Sequence, residues 1–407
     1  MKKNIAGAVA GALASMILAA PTQAADAPKT IRLGVLTDMS GPYSSLAGRG
    51  SVVAAQMAID DCLAKECKGM KIDLLSADHQ NKADLASSKA REWIDTQRVD
   101  ALVDLVNASV QLAVQKLVVE KDRVALYPGG TSRLTNEDCA PANSVQWMWD
   151  TYAQVAAVTR AINQPGSTWY YLTADYAFGK SLEADGKSVI EATGGKLLGS
   201  NRHPFPNADF SSAILQAQSS KANYIGLANA GADTINAIKA ASEFGVAKRG
   251  QKVVGFILSA QDVHSIGLAT AQGALLAESF YWDVDEQTRA WSNRYEALSK
   301  LGKPSMIHAG VYSSVYHYLK AAAASKTTDA KSVVQQMHKL PIQDPIVRNA
   351  RLRPDGRMVH DYYLFTVKSP QESKGPWDLY RLDKVIPGDQ AFKPLEQSAC
   401  SAIARKG

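Results

Sequence analysis

The strand–loop–helix unit at residues 31–62 constrains the fold of this chain most strongly. Residues 31–37 are β-branched and apolar without polar alternation, which is typical of a strand buried on both faces of a parallel sheet. A polar loop with glycines follows at 38–50, and the apolar residues of 52–59 recur at helical spacing. Ligands of such sheets bind outside the carboxyl ends of the strands. We therefore predict a site at this loop, with a wall formed by Ser40, Gly41, Pro42, Tyr43 and Ser44.

Three interpretations of the loop compete. A dinucleotide-binding fingerprint is disfavoured, because Gly48 and Gly50 are followed by Val53 where a third glycine would be required. An ordinary turn between strand and helix is the second interpretation. The third is a pocket in which loop amides and a helix amino terminus bind a small anionic or polar solute. The rest of the chain favours the third.

The same alternation continues through the first half of the chain, which predicts a parallel sheet built from right-handed crossovers. Strands are predicted at 71–77, 101–106 and 124–127, and helices at 83–96 and 110–120. Small hydroxyl or glycine residues follow three strands, at 40–44, 107–109 and 129–132. Such residues let a ligand approach the backbone and leave amides free to donate to it.

Near residues 149–152 the pattern begins again. Strands are predicted at 168–173, 196–200, 224–227 and 253–258, and helices at 180–192, 210–218 and 234–244. Beyond residue 278 the pattern is helical, at 286–301, 308–324 and 330–340, followed by strands at 351–353 and 362–367. Two α/β lobes whose strand ends face one another form a cleft.

The first 24 of the 407 residues have the pattern of a secretory signal peptide. Lys2 and Lys3 precede an apolar stretch at 5–20, and we expect cleavage after Ala24. There is no cysteine beside the cleavage site, so we expect no lipid anchor. The formal net charge of +6 is interspersed along the chain, which argues against nucleic-acid binding.

The four cysteines are compatible with two disulfides in an exported protein, and three connectivities are open. We favour Cys62 with Cys67 and Cys139 with Cys400. The spacing of the cysteines and histidines is not that of a zinc site, and we expect neither a metal nor a cofactor.

Several stretches resemble the type I periplasmic solute-binding proteins of ABC importers, the branched-chain amino acid (Leu/Ile/Val) binding family. They are LGVLTDMSGPYSSLAGRGSVVAAQMAIDD, ALYPGGTSRLT, DYAFGKSLE and ANAGADTINAIKAA. The resemblance implies an α/β fold of two Rossmann-like lobes joined by three crossovers, near 149–152, 277–283 and 345–353. It implies an N-terminal lobe of residues 30–150 plus 281–347 and a C-terminal lobe of 151–280 plus 348–400.

The resemblance also implies the ligand-binding residues. The carboxylate pocket of the family falls on Asn107, Ala108, Ser109, Gly129, Gly130 and Thr131. The second-lobe aromatic falls on Phe178 or Tyr176, a further position on Asn229 and Ala230, and Tyr43 adds a ring wall. Asp262 is the one candidate partner for a ligand ammonium, and a helix-capping role explains it equally well.

A buried ammonium without a carboxylate partner is costly, so an aromatic or other amine-free carboxylate is favoured as the ligand. The alternatives are a branched-chain or other amino acid, and a periplasmic sensor. The resemblance implies a monomeric periplasmic protein that delivers its ligand to an ABC permease and its ATPase. A hydrolase is disfavoured because no G-x-S-x-G motif occurs.

Overall fold

The computed structural model of the protein describes Met1 and residues 30–403. The predicted signal peptide, residues 1–24, lies outside the described residues except for Met1. Within the described part of the chain, no helix is both long and apolar enough to cross a membrane.

The first sheet is entirely parallel, with strand order β2-β1-β3-β4-β5. Its central strands β3 and β4 are buried at every position, as the apolar pattern predicts. Its strands and the helices between them are β1 (Thr30–Thr37), α1 (Gly48–Leu63), β2 (Lys71–Asp78), α2 (Ala83–Gln97), β3 (Ala101–Asp104), α3 (Ala108–Glu120), β4 (Val124–Tyr127) and β5 (Ser144–Gln146).

The next part of the chain repeats the alternation of strands and helices. It comprises α4 (Thr151–Ile162), β6 (Thr168–Ala174), α5 (Ala177–Ala192), β7 (Lys196–His203), α6 (Ser211–Ser219), β8 (Tyr224–Ala228), α7 (Ala232–Glu243), β9 (Lys252–Gly255), α8 (Ala260–Ile266), α9 (Leu268–Ala271) and β10 (Leu275–Glu278). The last described part comprises α10 (Glu286–Ser299), α11 (Met306–Ser325), α12 (Ala330–Lys339), β11 (Arg351–Leu352), β12 (Met358–Val359), β13 (Tyr362–Val367), β14 (Tyr380–Ile386) and α13 (Gly388–Ala391).

The second sheet has seven strands in the order β14-β13-β10-β9-β8-β6-β7. Strands β6 to β10 are parallel, whereas β13 and β14 add an antiparallel edge. We call the first sheet with its helices the first lobe and the second sheet with its helices the second lobe. The predicted α/β fold of two Rossmann-like lobes is confirmed.

The helices after residue 285 return to the first lobe. The guanidinium of Arg294 on α10 pairs with Asp61 on α1, and the hydroxyl of Tyr312 on α11 donates to the same carboxylate at 2.6 Å. The chain therefore passes between the lobes after β5, after β10 and after α12. Two of these passages are bound together by Arg357, which is fully buried and donates to the carbonyls of Trp147 and Trp149, each at 3.0 Å.

Some boundaries differ from the prediction. Strand β3 ends at Asp104 rather than at residue 106, and β9 ends at Gly255 rather than at residue 258. In both places apolar residues continue beyond the end of the strand, so the apolar pattern predicts too long a strand. The structure contains both expected disulfides, Cys62–Cys67 and Cys139–Cys400.

Candidate functional site

A cavity lies between the two lobes, where the carboxyl ends of both sets of strands meet. Together with the solvent at its mouth, it encloses about 430 Å³ of empty space. Its wall is mostly apolar and aromatic. The lining residues are Tyr43, Leu46, Asp104, Val106, Asn107, Ala108, Gln111, Pro128, Gly129, Trp149, Tyr176, Phe178, Ala230, Ile257 and Ile307.

The first-lobe wall is shaped by the start of α3. Asn107 caps this helix, and its side-chain oxygen accepts hydrogen bonds from the amides of Ser109 at 2.7 Å and Val110 at 3.1 Å. The side-chain amide of Gln111 donates to the carbonyl of Gly129 at 2.6 Å. Because Asn107 already uses two amides of the first turn, those amides are not free to bind a ligand carboxylate.

Trp149, on a segment that crosses between the lobes, lines the cavity. A methyl group at Gly129 would lie 2.0 Å from the indole ring, so only glycine allows this close approach. The ring of Phe178 meets the indole edge-on at 6.0 Å. The indole Nε1 is buried and has no hydrogen-bond partner among the described residues. This N–H group, which lies against Gly129, is therefore a buried donor without an acceptor in the described part of the chain.

The second-lobe wall is formed by the start of α5. Tyr176 occupies the N-cap position but provides no side-chain hydrogen bond to the helix amides. Uncapped amides carry partial positive charge, which favours an anionic group nearby. This end of α5 is thus the better candidate for contact with a ligand carboxylate.

Two tyrosines close the cavity across the lobes. The hydroxyl of Tyr43, from the loop after β1, is hydrogen-bonded to the hydroxyl of Tyr176. Both rings stack on Phe205, with centroid distances of 5.7 Å and 4.6 Å. Burial, and then the neighbouring Tyr176, raise the pKa of Tyr43 well above its usual value. Both hydroxyls are therefore protonated at neutral pH, and one donates to the other.

Asp185 on α5 makes a second connection between the lobes. Its carboxylate accepts hydrogen bonds from the hydroxyl of Ser132 in the first lobe at 2.8 Å and from that of Thr151 at 2.6 Å. Burial raises the pKa of Asp185 to about 7, although both hydroxyls act in the opposite direction. The hydroxyls of Thr131 and Ser181 also meet across the lobes, at 2.8 Å. The cavity is thus held between lobes in direct contact.

The structure brings seven of the twelve predicted ligand-binding residues to the cavity wall. These residues are Tyr43, Asn107, Ala108, Gly129, Tyr176, Phe178 and Ala230. Of the five residues predicted to form the loop wall, only Tyr43 lines the cavity. Ser40 instead donates to Asp78, and Asp38 accepts from the amides of Gly41 and Tyr43.

The other five predicted residues, Ser109, Gly130, Thr131, Asn229 and Asp262, lie outside the lining. Thr131 pairs with Ser181, and Asn229 is buried against His203 and Thr234. Asp262 forms a capping box with Ser259 at the start of α8. The cap uses the Oδ2 atom of Asp262, whereas its Oδ1 atom has no hydrogen-bond partner among the described residues.

Asp104, Gln111 and Trp149 line the cavity but were not predicted. Asp104 lies within the run of residues predicted to continue as a strand, and Gln111 lies on a predicted helix. The available signal was an acidic residue inside an otherwise apolar strand, since burying a charge is costly unless it has a role. No group of three or more metal-ligating side chains occurs within residues 30–403.

The family model described as periplasmic binding protein matches residues 30–375. A periplasmic binding protein from Burkholderia mallei is 46% identical, with 92% of this chain and 99% of that chain covered and a TM-score of 0.86. A branched chain amino acid ABC transporter periplasmic ligand-binding protein from Burkholderia xenovorans is 38% identical, with coverages of 91% and 99% and a TM-score of 0.82.

A solute-binding protein of an ABC transporter from R. palustris, solved in complex with benzoate, shares the fold at 19% identity. Its TM-score is 0.76, with 91% of this chain and 99% of that chain covered. Comparison with curated proteins finds no match.

Proposed function

Because the chain belongs to the periplasmic binding protein family of ABC transporters, whose members bind solutes and are not enzymes, we propose that it captures a small carboxylate. The ligand enters between the open lobes, the lobes close on it, and the closed form delivers it to a membrane permease. The observation that carries this proposal is the cavity walled by strand ends of both lobes. Ligand favours closure because the second lobe contacts it only in the closed form.

The wall of the cavity supports an amine-free carboxylate, and an aromatic acid in particular. Tyr43, Trp149 and Phe178 offer ring faces and edges for a flat apolar ligand. The uncapped start of α5 favours the carboxylate group. Asp262, the acid expected to hold an amino-acid ammonium, is engaged at the start of α8.

A branched-chain amino acid is the alternative ligand. It is favoured by the 38% identical relative from Burkholderia xenovorans, which is described as a branched chain amino acid ABC transporter protein. A periplasmic sensor would use the same cavity and the same closure. For either role we propose residues 30–150 plus 281–347 as one moving body and 151–280 plus 348–400 as the other, in a monomer located in the periplasm.

The proposal is tested by measuring the melting temperature of the purified protein with a panel of solutes. The panel contains benzoate and other aromatic acids, aliphatic acids, and the branched-chain amino acids, with neutral sugars as a control. Mass spectrometry under native conditions identifies any ligand retained through purification. We expect carboxylates to raise the melting temperature and sugars to leave it unchanged. A protein stabilised by sugars but by no carboxylate would contradict the proposal.

A further inference from the structure

Asp104 lines the cavity, but the proposed function assigns no role to its carboxylate. Of the described residues that line the cavity, it alone carries a formal charge. Its side chain is 0% exposed, and neither carboxylate oxygen has a hydrogen-bond partner in the described part of the chain. Buried carboxylates are normally paired or hydrogen-bonded, so this one requires an explanation.

The backbone at Asp104 is also unusual. Asp104 has φ of +79° and Leu105 has φ of +59°, a conformation that residues other than glycine rarely adopt. Two consecutive residues of this kind at the end of β3 turn the chain sharply at the cavity. Strained backbone of this kind is concentrated at binding and active sites, where the surrounding structure holds it.

Neighbouring groups do not neutralise the carboxylate. The hydroxyls of Ser51 and Thr37 are the neighbouring donors, and their weak hydrogen bonding to the carboxylate lowers its pKa, although neither contact has the geometry of a normal hydrogen bond. Burial outweighs them and raises the pKa of Asp104 to about 6, with Asp38 acting in the same direction. At neutral pH the side chain is therefore mostly ionised and still lacks a strong donor.

The polar groups of the cavity wall thus form two unmatched sets. The Nε1–H of Trp149 is a donor without an acceptor, whereas Asp104 and the side-chain oxygen of Gln111 are acceptors without a donor. A ligand with only a carboxylate would match the donor but leave the acceptors unpaired, and its negative charge would be repelled by Asp104. A ligand with a donor group as well would match both sets.

We propose that Asp104 determines specificity by selecting carboxylic acids that also carry a hydrogen-bond donor, either a hydroxyl or an ammonium group. The inference rests on the proposed function, because it assigns a second recognition point to the same cavity. A hydroxy acid remains within the favoured amine-free ligands, whereas the alternative ligand, an amino acid, would place its ammonium group at Asp104.

Two series of acids that differ in a single group test this. The first series is phenylacetate, mandelate and phenylglycine, and the second is isovalerate, α-hydroxyisovalerate and valine. In each series the first acid carries no additional donor, the second carries a hydroxyl group and the third carries an ammonium group. Affinities are measured by titration calorimetry for the natural chain and for Asp104→Asn and Asp104→Gly. Glycine suits the positive φ, so this variant removes the carboxylate without backbone strain. Asp344→Asn, which alters a carboxylate bonded to Ser313 outside the cavity lining, is the control.

In the natural chain we expect at least one donor-bearing acid to bind about tenfold to a hundredfold tighter than its donor-free counterpart, as for a hydrogen bond to a charged group. Asp104→Gly should abolish this ratio, Asp104→Asn should reduce it, and Asp344→Asn should retain it. The ratio is independent of losses in overall stability. Equal affinities within each series, or a ratio that survives in both Asp104 variants, would overturn the inference and leave carboxylate capture intact. Failure of every acid to bind would contradict carboxylate capture as well.

Discussion

Removal of one hydroxyl from the Tyr43–Tyr176 pair should weaken ligand binding. In the closed form each hydroxyl is the other's partner, and the contact is partly buried. In Tyr43→Phe the partly buried hydroxyl of Tyr176 loses that partner, which costs about 1–3 kcal/mol. The open form bears no such cost, since both hydroxyls are then hydrated. The dissociation constant of the tightest-binding acid should therefore rise roughly fivefold to a hundredfold.

The two single variants and the double variant form a cycle that isolates the pair. The double variant, with both tyrosines replaced by phenylalanine, leaves no hydroxyl without a partner. Its loss of binding free energy should therefore be smaller than the sum of the two single losses by about 1 kcal/mol or more. Tyr224→Phe, which loses a hydrogen bond to the carbonyl of Ile162 outside the cavity lining, should leave affinity unchanged. Titration calorimetry provides all four values. Strictly additive effects, or single variants with natural affinity, would refute the closure contact.

Three further outcomes are expected. Burial raises the pKa of Asp185 to about 7 when the lobes are in contact. If lobe opening exposes this carboxyl and returns its pKa to the usual range, ligand affinity should fall by up to tenfold per pH unit as pH rises towards 7 and then level off. Asp185→Asn should flatten this profile. Gly129→Ala should weaken binding roughly fivefold or more by displacing the indole that lines the cavity, whereas Gly375→Ala, with open space around it, should not. Replacing Cys139 and Cys400 by serine should lower the free energy of unfolding by about 2–5 kcal/mol in denaturant titrations.

The fold was predictable because long apolar and amphipathic segments determine it. Residues 31–37 and 124–127 were predicted as strands, the first of them buried, and both lie within strands of the structure. Strands β5, with three residues, and β10, with four, were not predicted; segments this short have no reliable period, although β4, as long as β10, was identified. The surrounding sheet, rather than local preference, makes these short segments strands.

The site was less predictable, because its geometry depends on contacts between residues distant in sequence. The family resemblance pointed to strand ends that border the cavity but could not tell which of two adjacent residues, such as Gly129 and Gly130, lines it. Asn107 caps its own helix, and this local hydrogen bonding uses amides that were expected to bind ligand. Asp104 was overlooked because an apolar run predicts a strand whether or not the chain turns sharply inside it.

Small-angle X-ray scattering, with and without an acid that raises the melting temperature, tests the central claim most directly. If two lobes close on a small carboxylate, the radius of gyration should decrease with added acid, and the decrease should saturate at the concentration that saturates binding. A sugar that does not bind should leave the profile unchanged. Saturable binding of the acid with identical scattering profiles in its presence and absence would contradict capture by lobe closure.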